Sequence, residues 1–78
     1  MKLGEEQRRI IYHALGIPNS SKTPYRNYYF CPDGAPELEG LVAIGAMSRG
    51  RTTRSGIFRY YHVTEAGAEA VGFELPED

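Results

Sequence analysis

Four arginines in the segment 49–59 are the side chains of this sequence with the clearest chemical potential. They are Arg49, Arg51, Arg54 and Arg59, and the segment contains no Asp or Glu. Guanidinium groups hold phosphate oxygens through paired hydrogen bonds, and hydroxyl groups add further contacts. The segment therefore predicts contact with a nucleic-acid backbone. The predicted ligands are basic and hydroxyl residues: Arg49, Arg51, Thr52, Thr53, Arg54, Arg59, Lys22 and Arg26.

The charges around this segment are unevenly distributed. All four arginines precede Val63, whereas the acids Glu65, Glu69, Glu74, Glu77 and Asp78 follow it. This separation favours a functional role for the arginines. Two other interpretations stay open: a solvated hairpin whose charges keep an edge strand from pairing with other chains, or a surface that meets an acidic protein.

Aromatic residues form a second candidate group. The chain has six Tyr, three Phe and no Trp. Exposed rings near Lys22 and Arg26 could stack unpaired bases. Tyrosines could equally anchor a protein partner, and the candidates for that role are Tyr25, Tyr28, Tyr29 and Tyr60. The simpler interpretation, which we favour here, is that a small core uses large rings to bury area.

The remaining reactive residues indicate no catalysis. The spacing of His13, His62 and Cys31 matches no zinc motif. Glu37 and Glu39 lie two residues apart and point in different directions on a helix. Phosphate-binding loops, dinucleotide fingerprints and nucleophile elbows do not occur. The sequence therefore predicts a protein that is not an enzyme, with no catalytic residue, metal or cofactor.

Length and composition set further bounds. A chain of 78 residues makes one small domain with a thin core. The net charge of -1 argues against a globally basic nucleic-acid binder and leaves only a local basic patch. A lone cysteine fits a reducing compartment, and no apolar run approaches the length of a membrane span. We expect a cytoplasmic protein without a membrane partner, and a homodimer is one option.

Spacing and turn residues predict the elements that position these side chains. Helices are expected over residues 3–16, 36–45 and 64–72, and an acidic tail over 73–78. Residues 19–35 are a strand or irregular. The aromatic run 25–30 favours a strand, and a short helix that starts at Thr23 and Pro24 is the alternative.

A hairpin is predicted over residues 46–63, with Gly56 in its turn. Alternation along the second arm places Ile57, Arg59, Tyr61 and Val63 on one face, and Phe58, Tyr60 and His62 on the other. Because both faces carry aromatic rings, we expect the sheet to be partly covered on both sides. In the helix that follows, Ala66, Ala70 and Val71 are expected to face inward.

Two resemblances follow from longer motifs. "LEGLVAIGAM" followed by "YHVTEAGAEAV" resembles the wing region of winged-helix regulators of the MarR-like kind. The whole chain resembles small proteins of tailed phages and prophages, through "EQRRIIYHALG", "PYRN", "LVAIGAM" and "HVTEAG". The first resemblance implies a two-stranded wing that touches DNA. The second implies a bacterial host cell as the location, and no known activity.

Together these patterns predict a small α+β fold: a reduced winged-helix-like domain of two to three short helices and a two- to three-stranded antiparallel sheet. The predicted function is a non-catalytic phage or prophage accessory protein that binds DNA through its basic hairpin. The alternative is a protein-binding module, an inhibitor or adaptor of a host protein, that uses the tyrosine and arginine surface.

Overall fold

A computed structural model describes residues 1–17 and 23–76 of the chain. Its elements in chain order are α1 (Glu5–Leu15), β1 (Tyr29–Pro32), α2 (Pro36–Ala43), β2 (Met47–Thr52), β3 (Phe58–Val63) and α3 (Glu65–Ala70). The strands form one antiparallel sheet in the order β1-β3-β2. This confirms the predicted small α+β fold, and the described residues hold three helices and a three-stranded antiparallel sheet.

Each helix is shorter than its predicted range because the outer residues act as caps. Gly16 ends α1 with a φ of 75°, and Gly45 follows α2 with a φ of 83°. Thr64 precedes α3 as its N-cap and accepts a hydrogen bond from the Gly67 N–H. Pro36 occupies the first position of α2, as predicted.

The C-terminal end of α1 is closed by hydrogen bonds. Its last four carbonyl groups accept from the backbone N–H groups of Gly16, Ile17, Tyr25 and Tyr28. The Arg26 guanidinium also donates to the His13 carbonyl, with Nη2 at 2.7 Å. Helix termini otherwise leave these carbonyls without partners, and a cation suits the negative end of the helix dipole.

This closure explains where β1 begins. Because Tyr25 and Tyr28 direct their N–H groups to α1, the strand starts at Tyr29, not at the predicted residue 25. The side chain of Asn27 continues the sheet pairing: its amide accepts from the Val63 N–H at 2.6 Å and donates to the Val63 carbonyl at 3.0 Å. The alternative of a helix starting at Thr23 is wrong, since residues 23–35 contain no helix.

One face of the sheet holds the core. Tyr61 of the central strand is fully buried, and residues of α1, α2 and the strands surround it. The buried apolar residues of this core include Ile11, Leu15, Leu41, Met47 and Val63. The predicted alternation along β3 is confirmed, because Tyr61 and Val63 are buried while Phe58 and Tyr60 are exposed.

The opposite face of the sheet is not covered. Tyr28, Phe30, Phe58 and Tyr60 are all exposed there, by 38–45%. The expectation that both faces are partly covered is therefore wrong. Both long helices pack on the Tyr61 side, and the described part of the chain places no element over these rings.

The connection from β3 to α3 is tied closely to the start of β2. The Thr64 N–H donates to the Ala46 carbonyl, and its hydroxyl donates to the Gly45 carbonyl at 2.6 Å. Gly67 is buried against the same strand start, where an added Cβ would lie 2.2 Å from the Ala46 oxygen. Ala68 is buried and Ala66 is exposed, so the expectation that Ala66 faces inward is wrong.

Candidate functional site

The structure divides the four predicted arginines into two pairs. Arg49 binds the carboxylate of Glu39 on α2. Its Nε lies 3.0 and 3.1 Å from the two carboxylate oxygens, and its Nη2 also donates to Oε1. Arg49 is thus part of an ion pair that joins β2 to α2.

A second donor reaches the same carboxylate. The Tyr61 hydroxyl lies 2.6 Å from Glu39 Oε2 and accepts a hydrogen bond from the Gly34 N–H. The hydrogen bonds from Arg49 and from Tyr61 lower the pKa of Glu39 from its ordinary 4.5 to about 2. The carboxylate in turn raises the pKa of Arg49 above its usual range. Both groups therefore stay charged across the neutral pH range.

Arg59 is also engaged within the domain. Its Nε donates to Asp33 Oδ1 at 2.6 Å and its Nη1 donates to the Gly50 carbonyl at 2.7 Å. Asp33 lies in the turn that leads from β1 into α2. The hairpin segment itself holds no acid, but Asp33 and Glu39 from outside it form ion pairs with Arg59 and Arg49.

Arg51 and Arg54 remain available. Both are exposed, and neither side chain has a hydrogen bond or ion pair with another residue of 1–17 or 23–76. Arg51 lies in β2 where the pairing with β3 shifts register between Arg49 and Thr52. Arg54 lies in the turn after β2. These two residues are the unpaired cations of the hairpin.

The hydroxyl residues of the hairpin organise its turn. The Thr53 N–H donates to the Phe58 carbonyl at 2.9 Å, and the Phe58 N–H donates back to Thr53 Oγ1 at 3.3 Å. Thr53 and Ser55 hydroxyls also share a hydrogen bond at 3.2 Å. Thr52 is half-buried opposite Arg59 in the ladder. Thr53 and Ser55 thus hold the shape of the turn that carries Arg54.

The other two predicted basic ligands have different outcomes. Arg26 caps α1 and stacks over the rings of Tyr25 and Tyr28, at 5.6 and 5.4 Å from their centroids. Its guanidinium therefore already has partners within the domain. Lys22 lies outside the described residues.

The exposed rings form one continuous row, which we call the ring face: Tyr28, Phe30, Phe58 and Tyr60. The Tyr28 ring meets Tyr60 at 5.9 Å, Tyr60 meets Phe30 at 4.7 Å, and Phe30 stacks on Phe58 at 5.3 Å between centroids. Such pairs add favourable ring contacts to the sheet. An exposed aromatic row of this length is typical of a binding surface.

The strands that carry the ring face contribute no negative charge beside it. None of the three strands contains Asp or Glu. Gly50 makes room for the His62 ring beside this face, since an added Cβ would lie 2.5 Å from the His62 ring and 2.9 Å from the Tyr60 carbonyl. His62 Nδ1 donates to the Asn27 carbonyl, because a carbonyl only accepts, with 2.7 Å between the atoms.

The four predicted partner tyrosines are not all on this face. Tyr28 and Tyr60 belong to it, whereas Tyr25 is exposed beside Gly16 and Tyr29 packs on the core side against His13. Phe30 and Phe58 complete the row and were not among the predicted partner residues. Their signal was in the sequence: Tyr28 and Phe30, like Phe58 and Tyr60, alternate with residues of the other face.

Metal and thiol chemistry find no support within residues 1–17 and 23–76. No group of three or more His, Cys, Asp or Glu side chains there is placed to hold a metal ion. Burial, and then the nearby Glu37, Asp33 and Glu39 carboxylates, raise the pKa of the Cys31 thiol. A raised pKa makes the reactive thiolate scarcer at neutral pH.

No helix of the described residues is long and apolar enough to span a bilayer. No protein-family model, curated protein or solved structure matched the chain.

Proposed function

We propose that this protein is a non-catalytic nucleic-acid-binding domain whose phosphate contacts come from Arg51 and Arg54. One observation carries the proposal: these two exposed guanidinium groups have no partner among the described residues, on a hairpin whose strands lack acidic side chains. Unpaired guanidinium groups are strong phosphate donors.

The two engaged arginines contribute by fixing the hairpin. Arg49 ties β2 to Glu39 of α2, and Arg59 ties β3 to Asp33 of the preceding turn. These two ion pairs hold the strands on either side of the unpaired cations, because Arg51 lies in β2 and Arg54 lies in the turn between β2 and β3. The hairpin therefore presents Arg51 and Arg54 from a supported base, which reduces the ordering cost of binding.

A salt titration of DNA binding tests the proposal. We expect binding at low salt with a linear fall in log affinity against log salt, by about 0.9 per phosphate contact for a duplex. Arg51→Ala/Arg54→Ala should reduce that slope by about 2. A matched control is Lys2→Ala/Arg8→Ala, which removes the same charge from exposed positions at the start of the chain. The proposal would be contradicted if only the control variant lost binding, or if neither variant lost binding.

A protein-binding module is the second candidate, and the exposed Tyr25, Tyr28 and Tyr60 favour it. Tyrosine rings are common anchors of protein interfaces. A partner that remains bound after nuclease treatment, and is lost on Tyr28→Ala/Tyr60→Ala, would support this candidate. Retention of that partner in the double variant would count against it.

We also propose a cellular location for the protein. The resemblance to small phage and prophage proteins and the lone cysteine support a role in the cytoplasm of a bacterial host. Expression of a tagged chain in such a host, followed by fractionation, would test the location. Recovery in the membrane fraction would contradict it.

A further inference from the structure

We propose that the ring face is a stacking platform for unpaired bases, so that the ligand is single-stranded nucleic acid. This inference rests on the proposed function, because it names the ligand class of the same nucleic-acid site. The sequence favoured a core role for these rings, and their exposure on the open side of the sheet is what suggests another role.

The row of rings is long enough for several bases. Three side chains from the neighbouring strands β1 and β3, and Tyr28 just before β1, follow one another with centroid spacings of 5.9, 4.7 and 5.3 Å. Each keeps between 38 and 45% of its surface exposed. Aromatic side chains bind successive bases of a single strand with little sequence preference, because every base has a π face.

A duplex does not suit this face. Paired bases stack on one another inside the helix and present only their edges in the grooves. Rings on a sheet therefore reach base faces only where the strand is unpaired. A duplex would meet the arginines alone and would gain nothing from the ring face.

Charge complementarity supports the same ligand. The strands hold no acidic residue, and the unpaired Arg51 and Arg54 lie in or beside the hairpin that carries Phe58. Thr53, next to Arg54, is hydrogen-bonded to Phe58, so the cationic turn adjoins one end of the ring row. A second copy seated ring face on ring face would bring like charges together with no acidic strand residue to meet them.

The first experiment uses the wild-type chain and three labelled probes at one low salt concentration. They are an oligo-dT of about twelve nucleotides, within the usual site size, a duplex of the same length, and an abasic oligomer with the same phosphates. Fluorescence anisotropy should give an affinity for oligo-dT about tenfold or more above those for the other two probes. Equal affinity for oligo-dT and the abasic oligomer would overturn the platform, because the bases would then contribute nothing.

The second experiment separates rings from charges. Tyr60→Leu keeps apolar bulk and removes the ring, whereas the control Tyr60→Phe keeps the ring. We expect Tyr60→Leu and Phe30→Leu each to weaken oligo-dT binding about 5- to 100-fold with an unchanged salt slope, and Tyr60→Phe to bind like wild type. Arg51→Ala/Arg54→Ala should instead flatten the slope by about 1.4.

The outcomes distinguish the two proposals. If no probe binds, the proposed function fails and the platform fails with it. If duplex binds as well as oligo-dT and depends on Arg51 and Arg54 alone, the platform is overturned while the hairpin proposal stands. A dimer in light scattering that Tyr60→Leu dissolves, with no preference for oligo-dT, would assign the ring face to self-association and also overturn the platform.

Discussion

The hydroxyl of the fully buried Tyr61 donates a 2.6 Å hydrogen bond to Glu39 Oε2 on α2. The same hydroxyl accepts from the Gly34 N–H at 3.1 Å, and the same carboxylate binds Arg49 of β2. One side chain of the central strand thus joins the β1–α2 turn, α2 and β2. The hydrogen bonds of the core and the attachment of the basic hairpin share one carboxylate.

Acid should weaken the domain through this carboxylate. The pKa of Glu39 is lowered from 4.5 to about 2 in the folded state, so the folded state binds the proton less readily than the unfolded chain. The stability from this group is fully present above pH 4.5 and is lost as the pH falls toward about 2. Glu39→Gln should lose this contribution at neutral pH and show a flatter decline over that window.

Thermal unfolding followed by circular dichroism at a series of pH values measures the effect. Glu37→Gln is the matched control, because Glu37 is exposed on the same helix and its side chain has no hydrogen bond or ion pair among the described residues. If Glu39→Gln and Glu37→Gln gave the same pH profile, the role assigned to Glu39 would be wrong.

Removing the Tyr61 hydroxyl should cost stability without emptying the core. Tyr61→Phe keeps the buried ring but leaves the Gly34 N–H and the Glu39 carboxylate each short of a hydrogen bond. We expect a loss of about 1–3 kcal/mol in the free energy of unfolding. Urea denaturation measures it, and Tyr60→Phe on the exposed face should change it by less than about 0.5 kcal/mol.

Two glycine substitutions should have opposite signs. Gly67→Ala puts a methyl group 2.2 Å from the Ala46 oxygen, a backbone atom that cannot move aside cheaply, so we expect a loss of about 1–3 kcal/mol. Gly40→Ala lies within α2 with no atom within 4 Å of the new Cβ, so we expect a gain of about 0.5–1 kcal/mol. Chemical denaturation of both variants compares them, and destabilisation by Gly40→Ala would contradict the packing described for α2.

Neighbouring arginines of β2 should separate stability from binding. Arg49→Ala removes the partner of Glu39, so the domain should unfold at a lower temperature and the pKa of Glu39 should rise toward its ordinary value. Arg51→Ala should leave the unfolding temperature unchanged and reduce the duplex salt slope by about 0.9. Melting curves and DNA titrations on both variants measure the two effects. If both variants changed the unfolding temperature and the salt slope equally, the assignment of Arg49 to stability and Arg51 to binding would be wrong.

The features that depend on neighbouring residues in the chain could be predicted from the sequence. The end of α1 followed from Gly16, and the two faces of β3 followed from simple alternation around Tyr61. The partners of the arginines did not follow, because Glu39 lies 10 residues from Arg49 and Asp33 lies 26 residues from Arg59. Only the packing of α2 and the turn before it against the sheet brings those charges together.

The same limit applies to the candidate site. Alternation places Phe30 and Tyr60 on one face of their strands, and the ladder pairs them directly. Whether that face is covered depends on which side the helices pack, and composition carries no such information. Since α1 and α2 pack on the Tyr61 side, rings that composition assigns to a core lie at the surface.

The closure of α1 ties two separate parts of the chain to one helical turn. The backbone leaves the last turn of α1 at Ile17, bonded to Tyr12, and returns to that turn at Tyr25, bonded to Leu15. Ile17 and Tyr25 therefore share one anchor in the domain, and Tyr28 bonds to the same turn through Ala14. Hydrogen bonds that share one anchor open as a unit, so hydrogen exchange at these three amides should report the opening of the last turn of α1 at one common rate.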